Sequence, residues 1–302
     1  MLVTLFAVSL LVFVAFSLIP GDPALRRLGT EGTPAQLQAL REEMGLNAPL
    51  PERYFRWARG FLTGDMGTSY SNAYPVSELI GGKIPVTVAL ALIALVITIL
   101  ISFPLGVYCA KYEGFLIDRI VLVLNQVVMS IPPFFSGVLL SALFGKVLRW
   151  FTPGAYVHYT DSVTGFLGYM LLPAFCVALP KAAMTTKLLR SSMLDEASKD
   201  YTRTAYSRGN TVNRVMYAHL LRNAMIPVVT FLGMSLADMV AGSIVVETIF
   251  SIPGISNTLI TSISNRDYPV VQAVIVGVAM TVMIINLAVD LIYRILDPRL
   301  KA

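Results

Sequence analysis

The sequence predicts an all-α, polytopic membrane protein with about six transmembrane helices, and three observations predict it. Its 302 residues are 56% hydrophobic and only 14% charged, against roughly 25% charged in a soluble globular domain. Mean hydropathy is +0.70, more apolar surface than a chain of this size can hide from water, so the bilayer is the expected solvent. Apolar runs near the length of about 20 residues that crosses the hydrocarbon core recur along the chain, separated by polar intervals.

The runs place spans at roughly 2–20, 86–110, 120–145, 166–187, 224–247 and 270–296. The first could be mistaken for a signal peptide, but no Lys or Arg precedes it. It is followed by Ile19-Pro20-Gly21-Asp22-Pro23 rather than a small-residue cleavage site, so it reads as a retained span. Pro104, Pro132, Pro133, Pro173 and Pro180 fall inside spans. Proline there frees a carbonyl and bends the helix, which neighbouring helices must re-satisfy.

Loop charge sets the expected orientation. The interval 181–222 holds eight basic residues (Lys181, Lys187, Arg190, Lys199, Arg203, Arg208, Arg214, Arg222) against Asp195, Glu196 and Asp200. The interval 21–85 carries seven of each sign, and 247–269 has Arg266 against Glu247 and Asp267. The positive-inside bias then puts the basic interval and both termini in the cytoplasm. The outer segment 21–85 is too long for a plain connection. Thr33 and Pro34 are helix-start signals ahead of Leu37, Leu40 and Met44, and Tyr54, Phe55, Trp57 and Phe61 follow. It reads as an amphipathic cap: an interfacial aromatic belt, a contact surface for an external partner, or both. No separable soluble domain is expected, so residues 1–302 read as one membrane domain.

Several chemistries are not supported. The Gly-Lys pairs Gly82-Lys83-Ile84 and Gly145-Lys146-Val147 lack the glycine spacing and following Ser or Thr of a phosphate-cradling loop. Any ATP, with its Mg, would therefore be bound by another chain, and no cofactor is expected here. No His or Cys pair has metal-ligand spacing, and Cys109 and Cys176 read as small apolar residues. No basic face outside lipid is extensive enough for nucleic acid.

Ionisable groups inside spans are costly and usually face a polar interior. Asp290 has Arg294 at i+4, a structural pairing. Asp238 lies deeper. It either faces a translocation path with Ser235 and Ser243 or is satisfied by those serines or by a neighbouring helix.

The most informative stretch is Tyr201–Pro227, YTRTAYSRGNTVNRVMYAHLLRNAMIP. Helix formers around Ala205 and Tyr206 stop at Ser207-Arg208-Gly209-Asn210. Gly209 suits the position after a helix C-terminus, and Asn210-Thr211 starts the next helix. Two short helices around a tight turn make a compact knob. Thr204 and Ala205 would allow close approach by a soluble partner, and Arg203 and Arg208 would reach its acidic groups. A solvated basic loop that only fixes topology is the competing reading.

These residues also resemble a known family. Tyr201, Ala205 and Gly209, then His219, Arg222-Asn223-Ala224 and Pro227, match the signature of binding-protein-dependent ABC-importer permeases. The match is to the first-permease type of the dipeptide, oligopeptide and nickel branch. Gly21-Asp22-Pro23, Gly64-Asp65-Met66-Gly67-Thr68-Ser69, Arg190-Ser191-Ser192-Met193-Leu194, the run from Gly242 to Phe250, Pro253-Gly254-Ile255, Asn265-Arg266-Asp267-Tyr268-Pro269 and Asp297-Pro298-Arg299 extend the likeness over nearly the whole chain. Two departures stand out. Arg203-Thr204-Ala205 replaces the Glu-Ala-Ala of the wider family, removing an acidic residue. The basic residues usual before the first span are missing, which points to a late start or a shorter lineage.

The resemblance implies a type I importer fold in a bacterial or archaeal inner membrane, with an external loop at 21–85 and a cytoplasmic coupling loop at 188–223. It implies a second homologous permease subunit, two cytosolic ATPases and an extracytoplasmic solute-binding protein. Tyr201, Arg203, Thr204, Ala205, Arg208 and Gly209 would form the ATPase-docking face. Peptides are the implied cargo, with nickel or a metal chelate as the alternative on the same machine. A carrier working alone would show more intramembrane charge.

Overall fold

The computed structural model describes residues 2–19, 22–28 and 33–296. In chain order the helices are α1 (Leu2–Leu18), α2 (Pro23–Leu28), α3 (Pro34–Glu43), α4 (Leu50–Thr63), α5 (Val76–Gly81), α6 (Ile84–Lys111) and α7 (Leu116–Ser130). There follow α8 (Pro133–Ser141), α9 (Val163–Ala197), α10 (Asp200–Ser207), α11 (Val212–Arg214), α12 (Leu221–Ile249), α13 (Ile255–Ser264) and α14 (Tyr268–Leu296). A π-helical stretch, Ala142–Val147, extends α8, and another, Val215–Leu220, joins α11 to α12. The protein is all-α, and helices cover the six predicted apolar runs apart from Ile19 and an interruption at Ile131-Pro132, with Pro20 outside the described residues.

Four of those runs are helices long and apolar enough to cross a membrane. The span expected at 120–145 is instead broken: α7 and α8 meet at 96°. Ile131-Pro132-Pro133 causes the break. Each proline lacks an N–H and pushes its predecessor out of the helical region, and Ile131 and Pro132 sit at ψ 121° and 141°. Pro104, Pro173, Pro180 and Pro227 lie inside unbroken helices. The run 166–187 also differs from expectation, because α9 continues ten residues further to Ala197. Its charges suggest an end at Lys187, but Leu189 and Met193 are buried there and extend the apolar stripe. At about 1.5 Å per residue α9 is about 52 Å long, well beyond a hydrocarbon core of about 30 Å.

The chain forms two compact units. One comprises residues 1–86 and 253–283. Thr33 caps α3 as expected: its hydroxyl accepts from the Gln36 amide, and Gln36 Oε1 accepts from the Thr33 amide at 2.9 Å. The aromatics of α4 turn onto α1. Tyr54 is buried, shares a 2.8 Å hydrogen bond with Ser9 Oγ, and meets Phe13 edge-on at 5.5 Å. Phe55 and Leu62 point outward and are exposed. Val76, Ile80, Ile255, Val270, Ala273 and Val274 form the apolar core of this unit. Asp267, also buried, accepts from the Ser69 hydroxyl and from the Tyr70 amide at 2.9 Å, tying the segment before α5 to the turn before α14.

The other unit comprises residues 87–252 and 284–302. α9 and α12 form its frame, around a cluster of Leu189, Met193, Ala205, Val215, Met216, Leu220, Ala224, Val228 and Leu232, with Val107 and Ala110 from α6. Glu247, expected in an outer loop, instead lies inside α12, fully buried, and accepts from the Thr87 hydroxyl at 2.6 Å. The Asp290–Arg294 pairing and the Asp297-Pro298-Arg299 motif involve side chains outside the described ones.

One buried ion pair fixes α7 against α9. Asp118 accepts from Arg190 Nε at 2.6 Å and Nη2 at 2.7 Å, and from the Gly114 amide at 3.0 Å. Removing one partner of such a pair strands the other in a low dielectric, at a cost of about 3–5 kcal/mol. Arg190→Ala should therefore lower unfolding stability by that amount, while Asp118→Leu combined with Arg190→Leu should recover most of the loss. Denaturant titration of the detergent-solubilised protein reads both.

Candidate functional site

The interval 188–223, expected as a loop, is helical over most of its length. α9 carries its first ten residues, α10 and α11 flank a turn, and the π-helical stretch runs without a break into α12. The turn is built as the residues suggest. The Gly209 amide donates to Tyr206 O at 2.9 Å, and Gly209 sits at φ +78°. That is a left-handed conformation open to glycine and strained for branched residues. Asn210 Nδ2 donates to Ala205 O at 2.9 Å, and the Thr211 hydroxyl caps α11. Lys111 Nζ, at the end of α6, donates to Asn213 Oδ1 at 2.8 Å.

The six predicted knob residues divide by face. Arg203, Thr204, Arg208 and Gly209 are exposed, and neither arginine makes an ion pair among the described residues. Ala205 is only 6% exposed and packs into the apolar cluster beneath, beside Val215 and Met216. It carries the knob from within, leaving the outer surface to its neighbours. Tyr201 anchors α10 through its hydroxyl, which donates to Glu196 Oε2 at 2.5 Å and accepts from Asn223 Nδ2 at 3.1 Å. Burial, and then the Glu196 carboxylate, hold the Tyr201 phenol above its ordinary value, so it stays a donor. The Lys199 ammonium, raised by its 2.6 Å bond to Glu196, stays charged.

This clasp joins the end of α9, the start of α10 and the start of α12. Sequence reasoning does not single out Glu196, because its role depends on residues 5 and 27 positions away. The only local signal is an acidic group just before a helix start.

The three predicted path residues are not brought together. Asp238 lies on the exposed face of α12, and its carboxylate accepts from Lys181 Nζ on α9 at 2.8 Å. Ser235 and Ser243 are both buried. Ser243 Oγ bonds within its own helix, to Val240 O and to Glu247. The counterpart of Asp238 thus comes from a neighbouring helix rather than from either serine. Lys181 reads as part of the polar interval in the sequence because the expected span edge falls near it.

Helices long and apolar enough to cross a membrane, with a polar knob leading into one of them, define a polytopic membrane protein. The chain belongs to the binding-protein-dependent transport system inner membrane component family. The model of that family matches residues 102–302, and the model of its N-terminal membrane component matches residues 1–91. The chain is 33% identical over 294 residues to a probable peptide ABC transporter permease protein of Sinorhizobium fredii, covering 97% of this chain and 94% of that protein. It is 36% identical over 300 residues to an oligopeptide transport system permease protein of Bacillus subtilis, covering 98% and 95%. A glutathione transport system permease protein of Salmonella paratyphi A is 35% identical over 301 residues, covering 99% and 95%. The crystal structure of an amino acid ABC transporter with histidines shares the fold with a TM-score of 0.53 at 16% identity, over 72% of this chain and 94% of that one.

Tyr201→Phe removes the hydroxyl common to Glu196 and Asn223. A hydrogen bond to a charged group contributes about 1.5–3 kcal/mol, so α10 should exchange its amide hydrogens about ten-fold faster or more, with α9 and α12 unchanged. Hydrogen-exchange mass spectrometry of the detergent-solubilised protein reads this directly.

Proposed function

We propose that this chain is a permease subunit of an ATP-driven, binding-protein-dependent importer of di- and oligopeptides. With a second homologous permease it forms the translocation path, and it does no catalysis itself. ATP and Mg are bound by two cytosolic ATPases, and an extracytoplasmic binding protein delivers the solute. Both termini and the knob around Gly209 face the cytoplasm of a bacterial or archaeal cell, as the basic residues between Lys187 and Arg222 favour. The three relatives named above, a probable peptide, an oligopeptide and a glutathione permease, support a peptide cargo. Nickel, the alternative cargo, gains no support from those names.

One observation carries the energy-input role. Arg203, Thr204, Arg208 and Gly209 form an outward face on a knob whose inner side, Thr202 and Ala205, is buried. Past the turn, α11, the π-helical stretch and α12 run on as one 38-residue helical body, Val212–Ile249. α10 is tied to that body across the turn by Ala205 in the shared apolar cluster and by the Tyr201–Asn223 hydrogen bond, so a force on its outer face reaches a span through packed contacts. Closure of the ATPases would draw two such knobs together and turn the path outward, a rigid-body transition with domain-closure character.

Gly209→Val forces a β-branched residue to positive φ and adds bulk at the face, a strain of about 1–3 kcal/mol. In proteoliposomes holding the whole importer, ATP hydrolysis should continue while peptide uptake falls about ten-fold or more, with insertion intact. Arg203→Glu with Arg208→Glu, which leaves the turn unstrained, should weaken ATPase association. Normal uptake and normal association in both variants would refute the docking role.

A further inference from the structure

The Lys181–Asp238 pair differs in kind from the interhelical pair Asp118–Arg190. Asp118 is buried, Arg190 is 18% exposed and binds it in bidentate fashion, and that carboxylate takes three hydrogen bonds. Lys181 and Asp238 share a single bond of 2.8 Å, and their side chains are 25% and 67% exposed. Among the described residues, Asp238 Oδ1 and the two remaining Lys181 N–H groups make no hydrogen bond. An ammonium has three donors and a carboxylate accepts at both oxygens, so each partner has spare capacity.

The pair lies deep in two membrane spans. Asp238 is 16 residues from Arg222, about 24 Å along α12 at 1.5 Å per residue, and Lys181 stands near the middle of α9. A carboxylate exposed at that depth is costly against lipid and calls for water, a polar ligand or a partner subunit. The exposed stripe of α12 runs through Met234, Asp238, Ala241, Gly242, Val245 and Thr248 at helical spacing. A Cβ at Gly242 would meet nothing within 4 Å, so the wall one turn from the carboxylate is low and open. The pair is thus one cation and one anion on a shallow, accessible face.

We propose that Lys181 and Asp238 form a binding station on the translocation path for zwitterionic solutes, Lys181 taking the carboxylate of a peptide and Asp238 its ammonium group. The pair satisfies itself between cargoes and exchanges partners as a cargo passes. This rests on the peptide-importer reading above, and two measurements separate them.

The first is accessibility, and it needs no cargo. With Cys109 and Cys176, both buried, replaced by Ala, Asp238→Cys in the assembled complex should react with a charged, membrane-impermeant methanethiosulfonate. Failure to react would mean that the face is covered by lipid or by the second permease and would overturn the proposal. The second is discrimination in reconstituted transport at equal occupancy of the binding protein. Wild type should favour a free dipeptide about ten-fold over its N-acetylated and its C-amidated forms, the weight of a charged hydrogen bond. Asp238→Asn should abolish only the penalty for acetylation, and Lys181→Met only the penalty for amidation. Variants that slow all three peptides equally would reduce the pair to an interhelical clamp and overturn the proposal. A wild-type complex that hydrolyses ATP but moves no peptide would refute the peptide-importer reading and the station's assignment to peptide termini together, whatever the thiol labelling of the Asp238→Cys variant shows.

Discussion

The antiparallel seam between α9 and α12 is the contact on which the second unit depends. Both helices outrun the bilayer, so their packing has to change character along its length. Inside the membrane, hydrophobic burial gives little drive because lipid is as apolar as leucine, and close fit and polar contacts hold helices together. A Cβ at Gly233 would lie 2.2 Å from Val289 Cγ2, and one at Gly106 would lie 2.9 Å from Leu189 Cδ2. Both glycines therefore let a side chain of the neighbouring helix, Val289 of α14 on α12 and Leu189 of α9 on α6, rest directly against the backbone. Beyond the apolar stretch, Leu189, Met193, Val215, Met216 and Leu220 shield one another from water, and ordinary hydrophobic burial takes over.

The knob is stable for the same reason. An eight-residue helix such as α10 is too short to persist alone. It is held by Ala205 in the apolar cluster and by the Tyr201 hydroxyl between Glu196 and Asn223. Position 205 therefore has to be small for an internal reason, and the outward residues are free to be shaped by a partner.

The six apolar runs were legible because the bilayer imposes a length and a composition, and the Gly209 turn was legible because its chemistry is local. What composition hid was the role of charge. Arg190, Lys181 and Glu247 each look like loop residues in the sequence, and each belongs to a helix because a partner on another helix answers it. Those partners are 72, 57 and 160 residues away, beyond any periodic pattern. The consecutive prolines at 132 and 133 were visible, but their effect depended on the conformation of Ile131. Single prolines elsewhere were absorbed without a break. Serines 235 and 243 are natural companions for Asp238 by proximity in sequence, yet α12 turns them to its buried side.

The length of α9 has a mechanical consequence. Pro173 and Pro180 lie inside it, and each lacks the N–H that would close a hydrogen bond one turn back. A long helix bends most readily at such points, and Pro180 stands next to Lys181. Flexure of α9 would therefore alter the separation of the ammonium and the Asp238 carboxylate before it disturbed the packing of Leu189 and Met193 further along.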